Sequence, residues 1–308
     1  MQFFKRPRLY LDMHDSYIRA LQSGGTRTTI EGFGHFTMPV VLDRWAGEEE
    51  ARNSGLALQE FLNRTGLNAV EVSIVLSRDG IITRTTRVPA MEESLLTGFM
   101  SSEISEFLPV DLAEYRYDYR VMRSYLADDD GKEYFDLLIG AVPNTMIQQV
   151  MQLIEMTGME IRTIDILPNA LLRLFSRATK NDIAVLDAGQ DGTRMSIFTG
   201  SSLLLYTDIP WRLAAEAPEF ALLLEETRGY LNFFASRNQG RQPDALIVIG
   251  ELARIPEGVQ YLKSSLELPV EARLDHLIPL SLHGNAYADF EPFIAEFAAN
   301  IGLMFRKD

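Results

Sequence analysis

The sequence predicts an α/β fold of two related lobes with a small α+β subdomain inserted between them, and three observations carry that prediction. The first is an internal repeat: laying Asp12 on Asp187 superposes, in one order, an aspartate-ended strand, a polar turn, a meander, a helix and a buried strand. The second is a change of hydrophobic period inside each half, from strand runs to helical spacing. The third is a central stretch, residues 84 to 160, whose own strands and helices belong to neither half.

Residues 1–83 with 161–180 are assigned to the first lobe. Within it, 9–13 (L-Y-L-D-M) reads as a strand pairing with 17–22, and Ser23-Gly24-Gly25-Thr26 turns into a third strand near 28–37. Residues 45–66 take helical spacing, with Leu56, Leu58, Phe61 and Leu62 on one face and Thr65-Gly66 as the stop. The run 69–76 (A-V-E-V-S-I-V-L) is a buried strand.

The insert, 84–160, opens with an alternating strand at 84–88 and a helix at 91–107 closed by Leu108-Pro109. A strand dense in Tyr and Arg follows at 115–124, then a turn at Asp128-Asp129-Asp130-Gly131, a strand at 134–142 and a helix at 145–157. That helix should bury Ile147, Val150, Met151 and Ile154. The three consecutive aspartates have no further ligand in step with them, so they read as a solvated hairpin tip. In the second lobe, 181–287, strand 183–186 ends at Asp187, the turn A-G-Q-D-G-T leads to strands 195–198 and 203–207, and a helix at 220–237 precedes a buried strand at 245–249. Leu222, Leu223, Leu231 and Phe234 are expected in its core. A last helix, 288–306, should pack back onto the first lobe.

Across 308 residues, 46% hydrophobic content supplies ample core, and a net charge of −14 disfavours nucleic acid or an anionic bilayer as a partner. Lys5-Arg6-Pro7-Arg8 and Arg306-Lys307 are too short to reverse this and read as solvated termini. With no cysteine, disulfide and thiolate chemistry are excluded. No signal-peptide core and no run of about 18 apolar residues is present, which leads us to expect a cytoplasmic protein that meets a membrane only through a partner. His35, His276 and His283 are too scattered to form a ligand set.

Each strand–Asp–turn–strand unit can offer backbone N–H groups to phosphate oxygens, while its aspartate can hold water around Mg²⁺. Asp12-Met13-His14-Asp15-Ser16 forms the first unit. Asp187-Ala188-Gly189-Gln190-Asp191-Gly192-Thr193 forms the second. A third turn, Ile249-Gly250-Glu251-Leu252-Ala253-Arg254-Ile255-Pro256, follows the buried strand of the second half. Together these resemble the two phosphate loops and the adenosine loop of the actin, sugar kinase and Hsp70 superfamily. The fold that resemblance implies is actin-like, or ribonuclease-H-like, with duplicated lobes.

The chain further resembles the PilM family of type IV pilus assembly proteins, relatives of the division protein FtsA, in collinear order over nearly its whole length. Glu103 to Pro109 followed by Tyr117-Asp118-Tyr119 is similar to that family's Pro-ended helix and Asp-Tyr strand. Leu138 to Pro143, Thr163-Ile164-Asp165-Ile166, Glu225-Glu226-Thr227-Arg228 through Phe233-Phe234, and Gly302-Leu303 carry the rest of the likeness. The insert would then be the FtsA-type subdomain.

By that resemblance ATP and Mg²⁺ would be the cofactors. Asp12, His14, Asp15, Ser16, Asp187, Gly189, Gly192, Thr193, Glu225, Arg228, Gly250 and Glu251 would line the nucleotide, with Asp12 and Asp187 holding the metal. Three departures argue for weakened or lost binding. His14 and Glu251 stand where the family has loop glycines, and Trp211-Arg212 stands where a Gly-Gly follows the second meander. A side chain in a phosphate loop costs contact, and a carboxylate there repels. No residue suggests itself as a general base.

The resemblance also implies a partner, the N-terminal cytoplasmic tail of a PilN-like inner-membrane protein. It would dock where the first lobe meets the insert, with Phe107, Pro109, Tyr115, Tyr117 and Tyr119 as candidate contacts; the same tyrosines could equally cover a sheet face. Two other readings stay open. One is an ATP-dependent enzyme of the superfamily, a slow ATPase or a phosphotransferase. The other is the cytoplasmic part of the type II secretion protein GspL, against which the ending Phe305-Arg306-Lys307-Asp308, without a membrane helix, speaks. Self-association is compatible with such a fold, and no residue pattern addresses it.

Overall fold

The computed structural model describes residues 7–45, 47–127, 130–176, 182–214, 219–274 and 282–306. Lys5, Arg6, Asp128, Asp129, His276, Lys307 and Asp308 therefore lie outside the described residues. Strands β1 (Arg8–Met13), β2 (Tyr17–Ser23) and β3 (Ile30–Thr37) form an antiparallel meander. Helix α1 (Glu48–Thr65) follows, opened by Glu48, Glu49 and Glu50 at its positive end and stopped by Gly66 at φ 70°, a left-handed cap that suits glycine. Strand β4 (Glu71–Leu76) then runs parallel to β1.

The central stretch contributes β5 (Ile82–Pro89), α2 (Glu93–Phe107), β6 (Tyr115–Leu126), β7 (Glu133–Pro143) and α3 (Asn144–Glu155). Its three strands make a separate sheet in the order β5-β7-β6, so β6 is an edge. Val88, Leu96, Met100, Ile104, Leu137 and Ile139 form a small core between this sheet and α2. Helix α3 behaves differently. Its Met146, Val150, Leu153 and Ile154 enter the core of the first sheet, where α3 lies against α1.

Strand β8 (Glu160–Ile166) returns beside β4 and completes the sheet β3-β2-β1-β4-β8, and α4 (Leu167–Phe175) follows it. The arrangement then repeats. Strands β9 (Asp182–Gly189), β10 (Gly192–Thr199) and β11 (Ser202–Ile209) form a second meander, followed by α5 (Phe220–Arg237), β12 (Ala245–Ile249), α6 (Pro256–Ser265) and β13 (Val270–Glu271). The order β11-β10-β9-β12-β13 copies that of the first sheet strand for strand. This is the duplication that the repeat of Asp12 on Asp187 anticipates.

Some expectations are corrected. The segment 288–306 is not one helix: α7 (Tyr287–Phe290) passes through a short turn at Glu291–Phe293 before α8 (Ala298–Met304). Pro292 accounts for the break, since it has no N–H to donate back to the preceding turn. Helix α8 lies on β1, β2, β4 and α4. Leu56, Met151 and Leu222 are exposed, at 44%, 55% and 50%. Each sits one step outside its helix's buried stripe, which in α1 follows Ala51, Ser54, Gly55, Leu58, Phe61 and Leu62.

Backbone contact fixes α8 at Gly302. A Cβ there would run into the Ala170 carbonyl of α4, so the two helices approach as closely as glycine permits. Asn300, fully buried on the same helix, donates through Nδ2 to the carbonyls of Tyr10 and Arg19 at 2.9 and 2.9 Å. The C-terminal segment is thereby tied to the strands that carry the first aspartate turn.

Candidate functional site

Asp12 lies near the end of β1 and Asp187 near the end of β9, and each is paired across its hairpin with an arginine: Asp12 with Arg19, Asp187 with Arg194. The i, i+7 repetition of this pair is a sequence signal that reading the aspartates alone misses. Arg19 is only 2% exposed, and its Nη1 donates to Asp12 Oδ2 at 3.0 Å while Nη2 donates to the Tyr17 hydroxyl at 3.0 Å. Among the described residues its Nε has no hydrogen-bond partner; Glu296 Oε1 lies 3.6 Å away.

His14 points into the same cluster. Its Nε2 is 3.0 Å from Asp12 Oδ2 and 3.1 Å from Arg19 Nη1, and its ring stacks on Tyr17 with centroids 4.2 Å apart. Ser77, just past β4, donates to Asp12 Oδ1 at 2.5 Å. Burial would push the Asp12 carboxyl up, but His14, Arg19 and Ser77 outweigh it and hold the group well below the usual carboxylate range. Asp187 has weaker support. Burial dominates there and raises it, with Arg19 and His14 offsetting only part.

The two aspartate turns close on one another. Asp191 of the second turn accepts from the Ser16 backbone N–H and from the Ser16 hydroxyl of the first, both at 2.6 Å. Gln190 Nε2 adds a bond to Ser16 Oγ at 3.3 Å. Glu251, in the third turn, accepts the backbone N–H of Gln190 at 2.6 Å, and Gly250 (φ 75°) lets that turn pass against the Asp187 side chain. At the mouth, Asp79 accepts from buried Arg194 at 2.6 Å and from Arg212 at 3.0 Å, a second link between the halves. Asp15 is held by Arg78 at 2.6 Å.

Tested against a Mg²⁺ triphosphate, these residues do not fit in this arrangement. The position for a metal beside Asp12 holds a guanidinium, and among the described residues no group of three or more His, Asp or Glu side chains is disposed to bind a metal. Backbone donors suited to phosphate, the N–H groups of Ser16 and Gln190, are taken by Asp191 and Glu251. Gly189 and Gly192 supply a tight turn, but a Cβ on Gly189 would meet Glu251 Oε2 at 2.7 Å, so the carboxylate fills the space above that turn. Thr193 is buried, and among the described residues its hydroxyl has no hydrogen-bond partner. Glu225 and Arg228 lie on α5, where Arg228 donates to the Ser265 carbonyl at the end of α6. Trp211 is buried, its indole N–H donating to the Glu219 carbonyl at 3.0 Å.

A second site lies where the insert meets the first lobe, a groove of about 660 Å³ between β6 and the β8–α4 corner. Five consecutive residues of β6, Arg116 to Arg120, form one wall, and Leu138, Val142, Ile147, Ile164 and Ile166 provide apolar surface. Tyr117 and Tyr119 line this groove. Phe107, Pro109 and Tyr115 do not: Phe107 and Tyr115 pack on the core of the insert, and Pro109 is exposed after α2. The reason is directional, because the apolar face of α2 is spent on the small sheet of the insert. Pattern reading misses the polar end of the groove, where Asp165 accepts from Arg173 and, at 3.0 Å, from Arg306, and where Arg120 donates to Asn169 Oδ1 at 2.8 Å. Among the described residues no helix is long and apolar enough to cross a membrane.

No protein-family model matches the chain, and neither does any curated protein. Solved structures do. A structure described as a PilM-PilN type IV pilus biogenesis complex superposes with a TM-score of 0.76 at 16% identity, over 96% of this chain and 97% of that one. A Bacteroides thetaiotaomicron protein with an actin-like ATPase fold and unknown function gives 0.52 at 12% identity, over 91% and 96%. The ethanolamine utilization protein EutJ from Carboxydothermus hydrogenoformans gives 0.51 at 11%, over 97% and 89%. At these identities the likeness is one of fold, and the fold of this chain is the actin-like one.

Proposed function

We propose that this chain is a PilM-like cytoplasmic scaffold of a pilus-type assembly, which captures the short cytoplasmic segment of a PilN-like inner-membrane protein and thereby sits at the membrane. The groove between β6 and the β8–α4 corner carries the reading. It offers room for an extended peptide, it is apolar along its floor and charged at one end, and one wall is an unpaired sheet edge. Asp118 already accepts the Tyr119 N–H of that edge at 2.8 Å, so side chains seated in the groove contribute more than a full backbone ladder. Support also comes from the structure with the 0.76 superposition, which is of a PilM-PilN complex.

In this reading ATP binding is weakened or lost, because the molecule's own carboxylates and Arg19 occupy the positions a nucleotide and its metal require. Turnover as an ATPase or phosphotransferase ranks below the scaffold for the same reason. Two measurements test the proposal. Titration of the full chain with the N-terminal cytoplasmic segment of the PilN-like protein encoded in the same genome should show saturable binding, and absence of binding would sink the scaffold. A thermal-shift series with ATP and Mg²⁺ up to about 1 mM should leave the melting temperature flat; a ligand at about a hundred times its Kd would add about 2.7 kcal/mol. A clear upward shift of the unmodified chain would return the enzyme reading. The triple change His14→Gly, Glu251→Gly and Asp191→Ala should introduce a nucleotide-dependent shift if these three side chains are the obstruction.

A further inference from the structure

We propose that the polar end of the groove is a subsite for a carboxylate side chain, so that the captured segment carries an Asp or Glu seated against Arg120. This rests on the peptide-capture reading and specifies the chemistry of its ligand. Three guanidiniums, those of Arg120, Arg173 and Arg306, gather there around one carboxylate, Asp165. Asp165 is fully engaged: its Oδ1 accepts from the Ile166 N–H and from Asn169 Nδ2, both at 2.8 Å, and its Oδ2 accepts from Arg173 and Arg306. Arg120 is left with a neutral partner, the Asn169 amide oxygen at 2.8 Å, and no carboxylate forms an ion pair with it among the described residues.

The excess of positive charge is felt by the groups themselves. Burial, followed by the charges of Arg120 and Arg306, pushes Arg173 down to about 9, and burial followed by Arg306 lowers Arg120. A half-buried guanidinium in a cavity, repelled by its neighbours, is most cheaply satisfied by an anion arriving with the ligand. Arginine's planar fork suits a carboxylate in bidentate geometry. The setting makes the feature selective: on a chain of net charge −14, an acidic peptide would be repelled almost everywhere else.

The test uses the full chain and the synthetic cytoplasmic segment of the PilN-like protein, followed by fluorescence anisotropy. Arg120→Met should weaken binding about tenfold, and Arg120→Lys, which keeps the charge but not the planar fork, should recover only part of that loss. Neutralising the seated residue of the peptide, Asp to Asn or Glu to Gln, should produce a loss of the same size, and combining it with Arg120→Met should cost no more than either change alone. Affinity should also fall as salt rises from about 0.05 to about 0.5 M, because added ions screen a charge pair that is only half buried. If the segment binds but contains no acidic residue, or if the two losses add, the subsite is refuted while capture stands. If the unmodified segment does not bind at all, the capture reading fails, and this subsite with it. Melting temperatures of both Arg120 variants, expected within a few degrees of the unmodified chain, separate a binding loss from a folding loss.

Discussion

Replacing Asp12 with asparagine should lower the unfolding free energy by about 3–5 kcal/mol, the range for breaking a buried ion pair from one side. Arg19 is 2% exposed and Asp12 1%, and among the described residues the other carboxylate within ion-pair reach of this guanidinium is Glu296, at 3.6 Å. The substitution would leave a buried cation with its main counter-charge removed. The double change Asp12→Asn with Arg19→Met removes both charges and should recover much of the loss in urea denaturation; simple additivity would mean that the two residues do not act as a pair. The pH dependence has a defined sign. Because the folded carboxyl of Asp12 titrates below its ordinary value of 3.8, its stabilisation is complete above that value and disappears as pH falls through the folded one. The double variant should accordingly lose less stability on acidification than the unmodified chain.

Gly302→Ala should destabilise the fold by about 2–3 kcal/mol, because the atoms its methyl meets are the Ala170 backbone in α4 and cannot rotate away. Gly229→Ala in α5 and Gly98→Ala in α2 are the controls. Among the described residues neither added Cβ meets a heavy atom of another element within 4 Å, so both should stabilise their helices by about 0.5–1 kcal/mol. Equal effects at 302 and 229 in thermal or urea unfolding would show that α8 is not seated on α4 as described.

The order of elements is legible in the sequence because both halves use deeply buried strand runs and helices with an apolar stripe. Helix α5 and strand β12 fall at the residues that periodicity assigns. Periodicity errs by one position at Leu56, Met151 and Leu222, where a leucine or methionine lies beside the stripe and other residues of the helix already fill the core. In the cleft, the residues that stand out as departures lie against the turns, His14 on Asp12 and Arg19 and Glu251 on the Gln190 N–H. Arg19 and Asp191 draw no role from the sequence, since nothing in a linear chain says that residue 191 reaches residue 16. At the groove, Tyr117 and Tyr119 are legible from a strand dense in aromatics. Asp165, Arg173 and Arg306 are not, because they converge from a strand, a helix and the C-terminal segment.

The bonds from Ser16 to Asp191 and from Gln190 to Glu251 have a consequence for competition. Both carboxylates are tethered to the polypeptide that presents the N–H groups, so each acts as an intramolecular ligand with an effective concentration of roughly millimolar or above. A diffusing phosphate has to outcompete these resident anions at every encounter, and dilution of the protein gives it no advantage. The tethered carboxylates thus lower the apparent affinity for such an anion by a fixed factor whatever the protein concentration, and removing either one removes its share of that factor.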